Sequence, residues 1–213
     1  MKQLMLKDLY TQRLFGYAFP LFFLLPFYMS SLTGVNYLVI YVTYASIWLT
    51  VYSNFGTAES NRMGLKLISS LPITRKNVVQ AKYGAAFMWW GIGFVLYGTM
   101  AFLINLLLGN TFNIGFISSM ILSLCVTFII ISFFYPLYFL LGYQIAAGIT
   151  MIFPMLGFFV MMTITIDDIS GEPLPWELFP TDYLSNILFV LASVIITRLS
   201  YLLSVKIFEK KDL

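Results

Sequence analysis

Long apolar runs alternate with short polar punctuation along this chain, and reading one against the other predicts six helical spans. They run over 14–32, 37–55, 84–108, 114–140, 145–166 and 184–205. A helix that crosses hydrocarbon needs about 20 mostly apolar residues, and each run is near that length. The first follows Lys2, Lys7 and Arg13 as a signal peptide would, but its length and the lack of a small-residue cleavage site after it predict a retained helix. Thr33–Asn36 and Gly109–Asn113 are tight turns built from Gly and Asn. The junction between the fourth and fifth spans carries no charge, and Pro136, Gly142 and Gln144 mark it. Pro20 and Pro26 predict bends in the first span, and Pro154 in the fifth.

Composition turns this pattern into a fold class. Of 213 residues, 60% are hydrophobic and 10% charged, with a mean hydropathy of +0.89. A soluble domain carries roughly a quarter charged residues and has nowhere to put so much apolar surface. A cytosolic enzyme, a nucleic-acid-binding domain and a disordered chain are excluded on that ground. The expectation is an all-α membrane protein, residues 1–213 forming one transmembrane domain. The chain has no His, which removes His-based triads, most zinc and haem sites and the commonest general base. Cys125 is single and reads as an ordinary buried residue.

Placement of the few charges gives the orientation. With both termini inside, eleven of the twelve basic residues fall in inner segments. The outer segments then hold no Lys or Arg, only Asp167, Asp168, Glu172, Glu177 and Asp182. This asymmetry predicts cytoplasmic termini and an even number of spans. The twelfth, Arg198, lies within the last span, where a charge costs about 2.5–3.5 kcal/mol on insertion scales. It is read either as an anchor that snorkels towards the inner interface or as an interhelical partner.

The polar segment 56–83 holds the candidate mechanism. Residues 58–71 place Glu59, Arg62, Lys66 and Ser69 on one helix face and Met63, Leu67 and Leu71 on another. Pro72 ends that helix, and Thr74 is placed to cap a second one through Arg75–Lys82 into the third span. An amphipathic helix of this kind either anchors in anionic headgroups or seats in a soluble partner. No phosphate-binding loop is present; Gly64-Leu65-Lys66 lacks its spacing and its hydroxyl.

The phrase Leu71-Pro72-Ile73-Thr74-Arg75-Lys76, followed by Val78-Val79 and Lys82-Tyr83, resembles the small bacterial ABC-2-type transporter permeases. In them a leucine-proline-x-serine/threonine-arginine phrase recurs between the second and third spans. The topology is similar over the whole chain, and the motif over about 25 residues; the short membrane subunits of Gram-positive peptide exporters are similar too, the phenol-soluble modulin exporter among them. This resemblance implies a type V exporter fold of six transmembrane helices, working as a dimer with a second permease copy or a paralogue. Met1–Arg13 would be an interfacial helix. The segment before Pro72 would be a coupling helix seated in a separate ABC ATPase. Glu59, Arg62, Met63, Lys66, Leu67, Leu71, Pro72, Thr74 and Arg75 would be the coupling residues. ATP and Mg would bind in the ATPase, this chain holding no cofactor and no metal. Trp176, Leu178 and Phe179, in the acidic segment 167–183, would help close an outer gate, or would simply lie at the interface as outer-loop aromatics do.

The implied function is export of a hydrophobic or amphipathic substrate across the bacterial cell membrane, with membrane lipid around the chain and antimicrobial or related peptides as a cargo class. Phe19, Phe22, Phe23, Phe27, Phe153, Phe158, Phe159, Met161 and Met162 would suit such a cargo, although lipid exposure and helix packing are the more frequent cause of such residues. Two other classes of membrane protein compete with this one. A self-sufficient channel or secondary carrier with a lipid-anchoring loop is the alternative, but carriers usually place acids in the membrane, and here every Asp and Glu falls in a terminus or loop. An intramembrane enzyme lacks a nucleophile–base pair. Asp167, Asp168 and Glu172 lack the spacing of a calcium loop.

Overall fold

In a computed structural model the structure describes residues 2–22, 35–55, 74–100, 103, 116–152, 155–156 and 183–210. The regular structure among them is helical: α1 (Lys2–Thr11), α2 (Leu14–Phe22), α3 (Val35–Tyr52), α4 (Arg75–Gly93), α5 (Phe116–Leu141), α6 (Tyr143–Ile152) and α7 (Tyr183–Lys210). A π-helical turn, Phe94–Gly98, extends α4. Helix covers the described part of each sequence-derived span, apart from a turn at Ser53–Asn54. Met120–Leu141 and Asn186–Lys210 are long and apolar enough to cross a membrane.

Why these helices pack is best seen on α7, which is built inside out relative to a soluble helix. Ile187, Leu188, Leu191, Val194, Ile195, Leu199, Leu202 and Leu203 are exposed. Ser193, Ser200, Ser204 and Phe208 are buried, and with the half-buried Thr197 they recur at three- and four-residue spacing along one stripe. Lipid tails accept the leucines, whereas a hydroxyl in hydrocarbon needs a partner and so turns inward. In α3, Thr43, Ser46 and Thr50, with Ser53 just past its end, form a buried seam among equally buried apolar residues such as Ile47 and Leu49. Thr43 donates across it to Ser123 of α5 at 2.9 Å. Small residues let the backbones approach. A Cβ on Gly93 would lie 2.6 Å from Ser46 Oγ, so α3 and α4 meet there with no room to spare. Gly91, two residues earlier, faces open space.

Prolines are carried inside two of these helices. Pro20 sits within α2 and has no N–H for the carbonyl of Gly16 four residues back. Trp48 Nε1 of α3 donates to that carbonyl at 3.1 Å. Pro136 within α5 likewise frees the carbonyl of Ser132, and Ser200 Oγ of α7 donates to it at 2.6 Å. This corrects one sequence reading. Pro136 does not mark the junction of the fourth and fifth spans; α5 runs through it to Leu141, because a neighbouring hydroxyl supplies the missing donor. Gln144 also lies inside helix, in α6. The break is made by Gly142 alone, at φ +93°, a backbone conformation open to glycine. Its N–H bonds to Tyr138 O and its own carbonyl accepts from Ala146, so one helix ends and the next begins across a single residue.

Candidate functional site

The first turns of α4 gather three other helices. Thr74 is extended (φ −68°, ψ 142°), and its hydroxyl accepts from the N–H of Asn77 at 3.3 Å, capping the helix as its sequence position predicts. Arg75 points to the far end of the chain. Its Nη1 donates to the carbonyls of Phe208 at 3.0 Å and Glu209 at 2.9 Å, and its guanidinium stands over the Phe208 ring, 5.9 Å from the ring centre. The last carbonyls of a helix lack intrahelical donors and carry the negative end of its dipole, so a guanidinium there is favourable on both counts.

Two turns on, Lys82 meets the N-terminal helix. Its Nζ lies 2.9 and 2.8 Å from the two carboxylate oxygens of Asp8, and both side chains are buried. A buried charge left alone is costly, and each of these neutralises the other. Beside them, the Lys7 ammonium is pushed below its ordinary pKa, mainly by burial and then by the Lys82 charge, with Asp8 opposing. Met5 and Gly84 close the same contact, since a Cβ at Gly84 would lie 2.9 Å from Met5 Cε. Tyr135 of α5 donates to the backbone carbonyl of Lys82 at 2.8 Å.

Tyr83 then ties α4 to α7. Its hydroxyl lies 2.6 Å from Ser200 Oγ and 3.1 Å from Ser204 Oγ. The Ser200 proton is already given to the Ser132 carbonyl, so Tyr83 donates to Ser200 and accepts from Ser204. A directed chain therefore runs Ser204 to Tyr83 to Ser200 to the carbonyl that Pro136 leaves open. Displacement of the α4 start would be felt at once by α1, α5 and α7.

Of the residues picked out by sequence, Thr74 and Arg75 belong to this junction. Glu59, Arg62, Met63, Lys66, Leu67, Leu71 and Pro72 lie outside the described residues, as do Trp176, Leu178 and Phe179. Arg198 is exposed on α7 and lines an open groove instead of pairing with an acid among the described residues. Sequence reasoning missed Asp8 as the partner of Lys82. The pair is 74 residues apart and leaves no local signal. It also passed over the hydroxyl stripes, which a three-and-four spacing of Ser and Thr would have revealed. Among the described residues no three His, Cys, Asp or Glu side chains are grouped as metal ligands.

Compared with known families, residues 3–209 match the model of the ABC-2 family transporter protein. The chain belongs to the ABC-2 transporter family. It is a membrane permease of an ABC transporter, the transmembrane component that associates with ABC ATPases. No curated relative and no solved structure matches the permease.

Proposed function

We propose that this permease is the membrane part of an exporter in a bacterial plasma membrane, with six spans and both termini cytoplasmic. Two copies, or one copy and a paralogue, would enclose the path, and a hydrophobic or amphipathic substrate, peptides included, would leave between them. ATP and Mg would bind in separate ATPase subunits, and the segment before Thr74 would be the coupling helix. The observation that carries this reading is the junction at the start of α4. Arg75, Lys82 and Tyr83 bond that start to α7 and α1, and Tyr135 bonds it to α5. A push delivered just before residue 74 would therefore move several helices together. By their spacing in the sequence, Arg62 and Lys66 would form the basic face of that coupling segment, and Met63 and Leu67 another face.

Two experiments test the reading. Co-expressed with an ABC ATPase encoded beside it, the permease is expected to purify as a complex of two plus two chains. Arg62→Glu combined with Lys66→Glu is expected to abolish ATPase binding while membrane insertion stays normal. Unchanged binding would favour the reading of this segment as a lipid anchor.

A further inference from the structure

An open groove of about 850 Å³ runs between α4 and α7, with α1 and α5 at its sides. Its lining holds two cations, Lys76 and Arg198, and no acid. Gln80 and Tyr201 add polar groups, while Phe87 and Leu202 form apolar wall. These last two are 57% and 54% exposed, so the groove opens on the surface that faces lipid.

The two cations stand at different depths of one slot. Arg75 bonds to the end of α7 and Tyr83 to Ser200, so α4 and α7 run antiparallel. By that register Lys76 lies at the level of residues near the end of α7, and Arg198 lies deeper by about 13 Å at 1.5 Å per residue. Both are exposed side chains long enough to turn towards a shared ligand. A cation within the bilayer calls for a counter-charge.

We infer that this groove binds an anionic phospholipid of the leaflet at the basic end of the molecule, its phosphate between Lys76 and Arg198 and its acyl chain along Phe87 and Leu202. The charge pattern selects the occupant. A zwitterionic lipid brings its own cation towards Lys76 and Arg198, and a small soluble anion leaves the apolar wall uncovered. The inference rests on the chain being a membrane permease, and not on its cargo or its ATPase.

Native mass spectrometry of the detergent-solubilised full chain, titrated with phosphatidylglycerol or phosphatidylcholine, tests it. The wild type is expected to retain phosphatidylglycerol preferentially. Lys76→Gln and Arg198→Gln should each weaken that preference by about five-fold, the effect of one basic residue near an anionic lipid. Arg198→Lys should keep the preference, which separates loss of charge from loss of fold. Lys210→Gln, at the exposed end of α7, should leave it unchanged. Equal retention of the two lipids by the wild type overturns the proposal. So does an undiminished preference in both glutamine variants, or an equal loss in Lys210→Gln, which would mark diffuse surface attraction. Displacement of the lipid by excess inorganic phosphate overturns it too, since the phosphate alone would then be what is recognised.

Discussion

Lys82 and Asp8 hold the first test at the scale of single residues. Their carboxylate–ammonium contact is buried, with side-chain exposures of 9% and 5%. Removing one partner of such a pair leaves a desolvated charge and typically costs about 3–5 kcal/mol, whereas replacing both by apolar residues of similar size is close to neutral. Asp8→Leu and Lys82→Met are therefore each expected to lower the thermal midpoint in detergent sharply. The double variant should return most of the loss. Additive losses would mean that the pair is not coupled and that α1 is held by Met5 and its apolar contacts alone. Neither residue stood out in the sequence as a pair. Lys82 was legible as an inner-side charge near the membrane edge, while Asp8 read as one more polar position of a short terminal helix. Only the fold brings α1 under α4.

Helices were legible from periodicity and length, but what tolerates their prolines was not. A proline costs about 3 kcal/mol in a soluble helix interior, and Pro136 accordingly read as one marker of the nearby junction. The cost is a missing donor, and here the donor comes from Ser200 on a helix more than sixty residues later. That substitution across helices is testable. Ser200→Ala leaves the Ser132 carbonyl without its side-chain donor and is expected to destabilise the protein by about 1–2 kcal/mol. In a Pro136→Ala background the residue at 136 regains an N–H that can close the ordinary helical bond to Ser132. The cost of Ser200→Ala should then fall by at least half, read as the difference in thermal midpoint between paired variants. An undiminished cost would assign the role of Ser200 to its bond with Tyr83 instead. The same logic joins Trp48 to Pro20 through the Gly16 carbonyl.

Taken whole, the molecule was most legible where lipid simplifies the rules. Apolar runs located the helices, and the placement of charge gave an orientation, because translocating a basic segment is disfavoured whatever the tertiary structure. Which face of each helix turns inward was not legible from hydropathy. In α7 both faces are apolar by composition, and the inward one is marked by Ser193, Thr197, Ser200 and Ser204. The junction at the start of α4 stayed hidden for a related reason, since its bonds link positions 53 to 134 residues apart. Orientation, by contrast, is open to direct test. Cys125 is buried, and in a Cys125→Ser background a single cysteine can be placed at Lys210, on the end of α7, or at Glu172, in the acidic segment. A membrane-impermeant maleimide added to intact cells is expected to label Glu172→Cys and to spare Lys210→Cys until the membrane is opened. A cysteine at Lys2 should behave like the one at Lys210, because an even number of spans returns the chain to its starting side. Labelling of Lys210→Cys in intact cells would reverse the orientation and put the α4 junction on the face where no ATPase waits. Opposite behaviour at 2 and 210 would make the number of spans odd, and would contradict the packing of both α1 and the end of α7 against the start of α4.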